Sequence, residues 1–345
     1  MRNCIDAEAP IHDDALPETD SSEGIAPPGE DRVNMRAGGG TIWLYPGLMA
    51  IGAVASAWLV FARRLLRLPR PPAPGPGGLG SRELTAALVL LLFFAGMYLA
   101  QPLGAGLLAA VTKPPDAVRQ AYAGGVISPE TVRLGVVLRS GGYLAAGLVI
   151  AAWLMVRPRM GGGQATGQPL DSSFIARTDQ SAPVPRRMVR AAAAGLIGLL
   201  LIWPLLHWVS FIGAGVQTWL TGRSPDVLAH DALRMLTDPA AGPWRFGAMA
   251  LVIVGAPIVE EAAYRGMLQP ALTTLLRSRW WAIVVTSVIF VAPHAAVVAP
   301  HALPTLFVLS LGFGLARERG GGVLAPIVMH AAFNGANVAL ALTVG

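Results

Sequence analysis

Two adjacent carboxylates, Glu260 and Glu261, lie within an otherwise apolar run of the chain, and Arg265 follows them one helical turn later. Between Arg245 and Arg277 these three side chains are the only charged ones in the sequence. An ionisable side chain at the centre of a membrane-spanning helix costs roughly 2.5–3.5 kcal/mol on insertion scales. Three of them in one apolar run therefore indicate chemistry, ion transport or a structural cluster of ion pairs.

The spacing of the two carboxylates predicts different surroundings for them. Neighbouring residues on a helix point about 100° apart. Arg265 follows Glu261 by four residues, which is the favourable acidic-to-basic spacing for an ion pair. The sequence therefore predicts that Arg265 neutralises Glu261, while Glu260 faces elsewhere and stays available as a base. A purely structural ion-pair cluster is the alternative interpretation.

Two later apolar segments each add a histidine. His294 ends the run FVAPH, with Phe290 one helical turn before it. The last segment contains His330, Asn334 and Asn337, whose offsets of four and seven residues place them on one helix face. A lone histidine in an apolar helix usually has a packing role, but two histidines together with a glutamate pair favour a shared site.

Depth in the membrane favours the same site. At about 1.5 Å per residue, Glu260, His294 and His330 lie roughly 16–25 Å from the arginines that flank their segments. The hydrocarbon core of a bilayer is about 30 Å thick, so all three are expected near its middle. A proline lies within four residues before each of them. Prolines kink helices, and interrupted backbone at membrane depth typically lines a cavity or lies buried in protein.

The composition predicts the fold class. Hydrophobic residues make up 54% of the chain and charged residues only 13%, against about 25% charged residues in a soluble protein. Several apolar runs are long enough to cross a bilayer. We therefore expect an all-α polytopic membrane helix bundle of about eight transmembrane helices. The predicted segments are 41–62, 84–111, 134–156, 189–212, 246–264, 280–299, 303–316 and 323–344.

Charge and flexibility divide the chain into four regions. Residues 1–38 are acidic and poor in apolar residues, which predicts a disordered tail. Residues 39–156 hold the N-terminal transmembrane helices, and 157–187, rich in glycine and proline, form a predicted flexible linker. Residues 188–345 hold the C-terminal helices and the polar residues described above.

The positive charge predicts topology rather than nucleic-acid binding. The net charge is +6, but the arginines cluster at the ends of apolar segments, as topology signals do. Most of them fall in the loops after the first, third, fifth and seventh segments, including the linker. The positive-inside rule then places those loops in the cytoplasm and both termini outside. We expect a multi-pass protein of the cell inner (plasma) membrane, with the lipid bilayer as a partner.

The motifs resemble those of a known family. EEAAYRG at 260–266, FVAPH at 290–294 and HAAFN at 330–334 resemble, in order and spacing, the EExxxR, FxxxH and HxxxN signatures of the CPBP family. This family comprises the type II CAAX prenyl endopeptidases and their bacteriocin-processing-like relatives. The resemblance covers about residues 245–340 and rests on the three motifs together, each inside an apolar segment.

The resemblance implies an intramembrane endopeptidase that acts on a membrane-associated peptide or protein. It implies that Glu260 and His294 hold and activate a water as the general base, and that His330 and Asn334 stabilise the tetrahedral oxyanion. A base with apolar surroundings and donors aimed at the developing charge suit this chemistry. The supporting residues implied are Glu261, Arg265 and Phe290, of which the first two position the base.

A metal is the alternative to a mechanism that uses glutamate alone. Glu260, His294 and His330 make a His₂Glu set of the kind that catalytic zinc uses. No HExxH motif on a single helix accompanies them, and Cys4, the one cysteine, excludes a thiolate cluster. We therefore favour a mechanism without a cofactor and keep zinc as the alternative.

Two other classes of function compete with the protease. A non-catalytic membrane scaffold or self-immunity protein would retain the fold without the reaction. A proton-coupled transporter would use the glutamates and histidines as a proton relay. Transporters commonly show internal repeats, and none is evident in this sequence.

Overall fold

The computed structural model describes residues 41–62, 66–68, 81–160, 184–225, 229–320 and 322–344. The predicted acidic tail at 1–38 and the central part of the predicted linker, 161–183, lie outside the described residues. Within the described ranges the chain is helical, apart from turns and an isolated antiparallel bridge between His230 and Val298.

The α-helices are, in chain order, α1 (Thr41–Ala62), α2 (Ser81–Phe94), α3 (Gln101–Thr112), α4 (Asp116–Ala123), α5 (Pro129–Met160), α6 (Val184–Thr221), α7 (Asp231–Thr237), α8 (Trp244–Ala250), α9 (Ala256–Ala263), α10 (Gln269–Leu276), α11 (Arg279–His294), α12 (Leu303–Gly320) and α13 (Leu324–Val344). Three π-helical segments join consecutive α-helices without a break: π1 (Ala95–Ala100), π2 (Leu251–Gly255) and π3 (Tyr264–Leu268). In a π turn the backbone N–H bonds to the carbonyl five residues earlier instead of four.

The helices fit the predicted membrane bundle. The helices long and apolar enough to cross a membrane are Glu83–Thr112, Pro129–Met155, Val184–Thr221, Trp244–Leu276 and Leu324–Thr343. Two shorter apolar helices, Gly47–Leu59 and Arg279–His294, accompany them. Together with α12 they bring the apolar helices of the described residues to eight. The all-α membrane fold predicted from composition is therefore confirmed.

Several predicted segment ends differ from the structure, and the fourth segment, expected to end at 212, continues in α6 to Thr221. The fifth segment was expected to end at 264, but the helical run continues through π3 and α10 to Leu276. The charge of Arg265 does not end the helix because it is neutralised inside the protein. The sixth segment was expected to reach 299, but α11 ends at His294, whose carbonyl accepts hydrogen bonds from Val297 and Val298 in a closing turn.

Glycines let the helices of the C-terminal half approach closely. A Cβ built at Gly195 on α6 would lie 2.3 Å from the backbone oxygen of Ala325 on α13. One built at Gly314 on α12 would lie 2.7 Å from the side chain of Ile283 on α11. Small residues at such crossings bring helix backbones into direct contact within a membrane. The crossing at Gly195 fixes α13, and with it His330, against α6.

We expect Gly195→Ala to lower the melting temperature of the detergent-solubilised protein. The added Cβ would clash with the backbone of α13 at Ala325, and a helix backbone cannot move aside as a side chain can. Overpacking of this kind costs about 1–3 kcal/mol. Gly106→Ala on α3 is the matched control, since a Cβ there meets nothing within 4 Å. Equal melting temperatures for the two variants would show that the crossing is not tight.

A buried carboxylate closes the end of α12, beyond the apolar stretch 303–316. The side chain of Glu318 is 2% exposed, pairs with Arg317 at 2.6 Å and with Arg279, and accepts a hydrogen bond from Nε2 of Gln269 at 3.0 Å. Burial acts to raise the pKa of Glu318, but the two guanidinium charges and the hydrogen bonds outweigh burial, so its pKa lies below the ordinary value. Glu318 thereby ties α12 to the beginnings of α10 and α11.

The lowered pKa of Glu318 predicts that its contribution to the stability of the protein is lost in acid. The stabilisation from Glu318 is present above the ordinary glutamate pKa, about 4.3, and is lost as the pH falls through the folded-state pKa. We expect the melting temperature to fall over that acidic range. Glu318→Gln should weaken this dependence and lower the melting temperature at neutral pH, because two arginines lose their partner. Glu130→Gln, at an exposed position of α5, is the control, and an unaltered profile in Glu318→Gln would contradict the assignment.

Candidate active site

The two carboxylates lie on a short helix between two π turns. α9 (Ala256–Ala263) carries Glu260 and Glu261, with π2 before it and π3 after it. Each π turn ends two residues before a proline, Pro257 or Pro270. A proline ring clashes with the carbonyl four residues earlier in an α-helix, and the wider π turn relieves that clash. The prolines therefore set where the helix widens, and so the direction in which the carboxylates face.

Glu261 and Arg265 form the ion pair that their spacing predicts. Nη1 of Arg265 donates to Oε1 of Glu261 at 2.9 Å, and both side chains are 0% exposed. Nη2 donates to Oγ of Ser310 on α12 at 2.6 Å and to its carbonyl oxygen at 3.1 Å. The guanidinium carbon lies 4.7 Å from the ring centre of Phe290 and 5.0 Å from that of Phe313. Charged hydrogen bonds and aromatic faces together compensate the buried cation.

His330 joins this pair from α13. Its Nδ1–H donates to Oε1 of Glu261 at 2.9 Å, so one carboxylate oxygen accepts from both the histidine and the arginine. The imidazole stacks on Phe313 with 4.7 Å between ring centres, and the residue is 6% exposed. Because Nδ1 is held by Glu261, Nε2 is the ring nitrogen left for another partner.

Phe290 brings the three motifs together. Its fully buried ring lies 4.7 Å from Arg265, 4.7 Å from the imidazole of His294 and 6.0 Å from the imidazole of His330. Nδ1–H of His294 donates to the carbonyl oxygen of Phe290 at 2.7 Å. Because Nδ1 carries the proton, Nε2 of His294 is unprotonated. Its lone pair is what a base or a water-binding group needs.

Glu260 faces differently from Glu261, as the spacing predicts. It is half-buried and makes no hydrogen bond or ion pair with the part of the chain that the structure describes. Its charge interacts with Tyr143 and Tyr264. Tyr143 comes from α5, where its ring lies 3.6 Å from a Cβ built at Gly255. The predicted pairing of Glu260 with His294 through a water stays a prediction.

Asn334 holds the backbone beside the carboxylates. Nδ2 of Asn334 donates to the carbonyl oxygen of Val252 at 2.8 Å. That oxygen has no donor in its own helix, because the N–H of Ala256 bonds to Leu251 and the next residue, Pro257, has no N–H. One N–H of the amide therefore completes the π turn, and its second N–H is left for the predicted oxyanion role.

Sequence reasoning missed three residues of this region: Tyr143, Ser310 and Arg317. Tyr143 lies in a segment without any matching motif, and its proximity to Glu260 depends on how α5 packs against α9. The sequence around Ser310 does not predict its contact with Arg265, since a serine in an apolar helix ordinarily bonds to the backbone of its own helix. Arg317 was counted with the arginines of a loop, although its side chain is only 12% exposed and bonds to the carbonyl of Arg265.

The metal alternative depends on how the histidines of the site are held. No three side chains of histidine, cysteine, aspartate or glutamate within those ranges lie in an arrangement that holds a metal ion. Nδ1 of His330 is already bonded to Glu261 and Nδ1 of His294 to a backbone carbonyl. These bonds leave Nε2 of each histidine as the nitrogen for another partner, an arrangement that metal-ligating histidines also use, so zinc at Glu260, His294 and His330 stays the alternative to a mechanism without a cofactor.

Fold and site define a class of protein: a helical membrane protein with a carboxylate–histidine cluster buried in its bundle. Residues 242–336 match the sequence model of the type II CAAX prenyl endopeptidase family, Rce1-like, which confirms the resemblance to the CPBP family that the three motifs carry. Over 120 residues the chain is 33% identical to an uncharacterised 24.3 kDa protein of Escherichia coli, covering 33% of this chain and 54% of that protein. The chain therefore spans about half the length of this relative. No solved structure matches the protein.

We expect Asn334→Ala and Pro257→Ala to be coupled. Asn334→Ala leaves the carbonyl of Val252 without a donor and should lower the free energy of unfolding by about 1–3 kcal/mol. Pro257→Ala restores an N–H that can bond to this carbonyl, so the asparagine substitution should cost less in that background. Unfolding of the four proteins in detergent measures the coupling.

Asn337→Ala is the matched control, because Nδ2 of Asn337 donates to Phe333 in its own helix. Its effect should add to that of Pro257→Ala. Additive effects for Asn334 as well would mean that its bond to Val252 contributes nothing to stability.

Proposed function

We propose that this protein is an intramembrane endopeptidase that hydrolyses a peptide bond in a membrane-associated peptide or protein. The match of residues 242–336 to a family of prenyl endopeptidases supports the proposal. The observation that carries it is the buried network in which His330 bonds to Glu261 and Glu261 to Arg265. Phe290 packs between this network and His294.

The reaction begins with a water between Glu260 and His294. Glu260 takes a proton from the water as its oxygen attacks the scissile carbonyl carbon, and Nε2 of His294 orients the water through its lone pair. The half-buried surroundings of Glu260 suit a general base. When the C–N bond breaks, the proton passes from Glu260 to the leaving amine, so the carboxylate is regenerated.

Hydrogen-bond donors on α13 stabilise the negative charge of the tetrahedral intermediate. In the proposed reaction the ring of His330 carries both protons, as an imidazolium paired with Glu261, so that Nδ1–H donates to Glu261 and Nε2–H donates to the oxyanion. Asn334 contributes the N–H that is not bonded to Val252. Preorganised donors of this kind supply much of the stabilisation in acyl-transfer reactions. Glu261 and Arg265 act on the reaction by fixing His330.

We also propose the location of the protein. The arginine-rich ends of α10, α11 and α12 face the cytoplasm of the cell that makes it, by the positive-inside rule. The substrate then reaches the site from within the inner membrane or along its surface. A leader peptide or another membrane protein suits a site at this depth.

The test is cleavage of a panel of quenched fluorogenic peptides by the purified protein in detergent. We expect Glu260→Ala and His294→Ala each to lower the cleavage rate by at least about 100-fold, because each removes one of the two groups that activate the water. Both variants should keep the melting temperature of the wild type to within a few degrees. A parallel sample with chelator tests the zinc alternative.

His207→Ala is the matched control for His294. Nδ1 of His207 also bonds to the carbonyl four residues earlier, that of Trp203, at 3.0 Å, and its ring packs on Trp203 at 4.9 Å. Its loss should leave cleavage nearly unchanged. Full activity in Glu260→Ala would overturn the assignment of the base. A folded wild type that cleaves no peptide favours the scaffold, and a pH-driven flux abolished by Glu260→Gln favours the transporter.

A further inference from the structure

The carbonyl oxygen of Arg265 has no backbone donor within its own helix. The N–H four residues later, that of Gln269, bonds to Tyr264 because π3 shifts the pairing by one residue. The residue five positions later is Pro270, which has no N–H. Buried carbonyl groups are almost always paired, so a donor from another element is needed here.

Arg317 on α12 supplies that donor. Its Nε–H donates to the carbonyl oxygen of Arg265, while its Nη1 bonds to Oε1 of Glu318 at 2.6 Å. Glu318 is held in turn by Arg279 and Gln269. The guanidinium is therefore fixed at both ends, and it bonds to the backbone of the residue whose side chain neutralises Glu261.

The same arrangement recurs thirteen residues earlier. There the unpaired carbonyl belongs to Val252, the proline is Pro257 and the donor is Asn334 on α13. Two side chains from two different helices thus complete the two π turns that bracket α9. Without either donor, the backbone N–H groups of that π turn are expected to bond to the carbonyl four residues earlier, as in an α-helix. That change would rotate the carboxylates relative to the histidines.

We propose that Arg317 is a positioning residue of the active site, which holds π3 and through it the orientation of the Glu261–Arg265 pair. The inference rests on the proposed endopeptidase function for its effect on catalysis. The competing explanation is that Arg317 only neutralises Glu318. In that case its bond to Arg265 would contribute nothing, and Pro270 would be irrelevant to its effect.

A double-mutant cycle separates the two explanations. We expect Arg317→Gln to lower kcat by roughly 10- to 100-fold, as a small misplacement of catalytic groups does, with KM changed by less than about threefold. Pro270→Ala restores an N–H for the carbonyl of Arg265. In that background Arg317→Gln should lower kcat by less than about threefold. If Arg317 only neutralises Glu318, the loss is the same in both backgrounds, and that result overturns the proposal.

Arg319→Gln is the matched control, since it removes the same charge two residues later from an exposed side chain that bonds to the carbonyl of Arg67. Its kcat should stay within about twofold of the wild type. If Arg317→Gln does not fold, Arg317→Lys takes its place in the cycle, because one ammonium cannot serve both the carbonyl of Arg265 and Glu318.

Thermal unfolding of the wild type, the two single variants and the double variant tests the inference independently of the proposed function. If the wild type cleaves no peptide, the endopeptidase proposal fails, but melting temperatures still report the bond. Non-additive shifts for Arg317→Gln and Pro270→Ala support the bond to Arg265, and additive shifts overturn it. An unchanged kcat in an active, folded Arg317→Gln variant overturns the inference alone.

Discussion

The buried ion pair between Glu261 and Arg265 is the interaction on which the rest of the site depends. A charge in this interior is costly unless it is paired and hydrogen-bonded. Both terminal nitrogens of Arg265 are bonded, to Glu261 and Ser310, and two phenylalanine faces cover the guanidinium, while its buried Nε has no hydrogen-bond partner among the described residues. The same carboxylate oxygen then holds His330. The cost of burying one cation thus dictates the placement of α9, α12 and α13 around it.

The second constraint is the backbone. Pro257 and Pro270 interrupt hydrogen bonding on either side of the carboxylates, and two π turns accommodate them. Each interruption leaves one carbonyl that only a side chain from another helix satisfies, Asn334 in one case and Arg317 in the other. A membrane interior has no water to repair such a gap. The short helix that carries the candidate base is therefore positioned by its neighbours as much as by its own sequence.

The division of labour between the two glutamates follows from these constraints. Glu261 is fully enclosed and has fixed partners, which suits a positioning role. Glu260, its neighbour, points to a half-buried region where Tyr143 approaches from α5. That tyrosine lies outside residues 242–336, the part of the chain that matches the endopeptidase family. The N-terminal half of the bundle therefore shapes the surroundings of the candidate base.

The sequence by itself determined the helical membrane class, the order of the apolar segments and the pairing of Glu261 with Arg265, because these depend on composition and on spacing along one helix. It also predicted that His294 and His330 lie close together, since intramembrane ionisable groups are costly and seldom isolated, and both imidazoles lie against Phe290. Only the tertiary structure decided that His330 bonds to Glu261, that Asn334 donates to Val252, and that Ser310 and Arg317 support the same helix. Those contacts join residues between 45 and 82 positions apart. Spacing along a chain carries no information about which carbonyl a proline leaves unpaired or which distant side chain lies within reach of it.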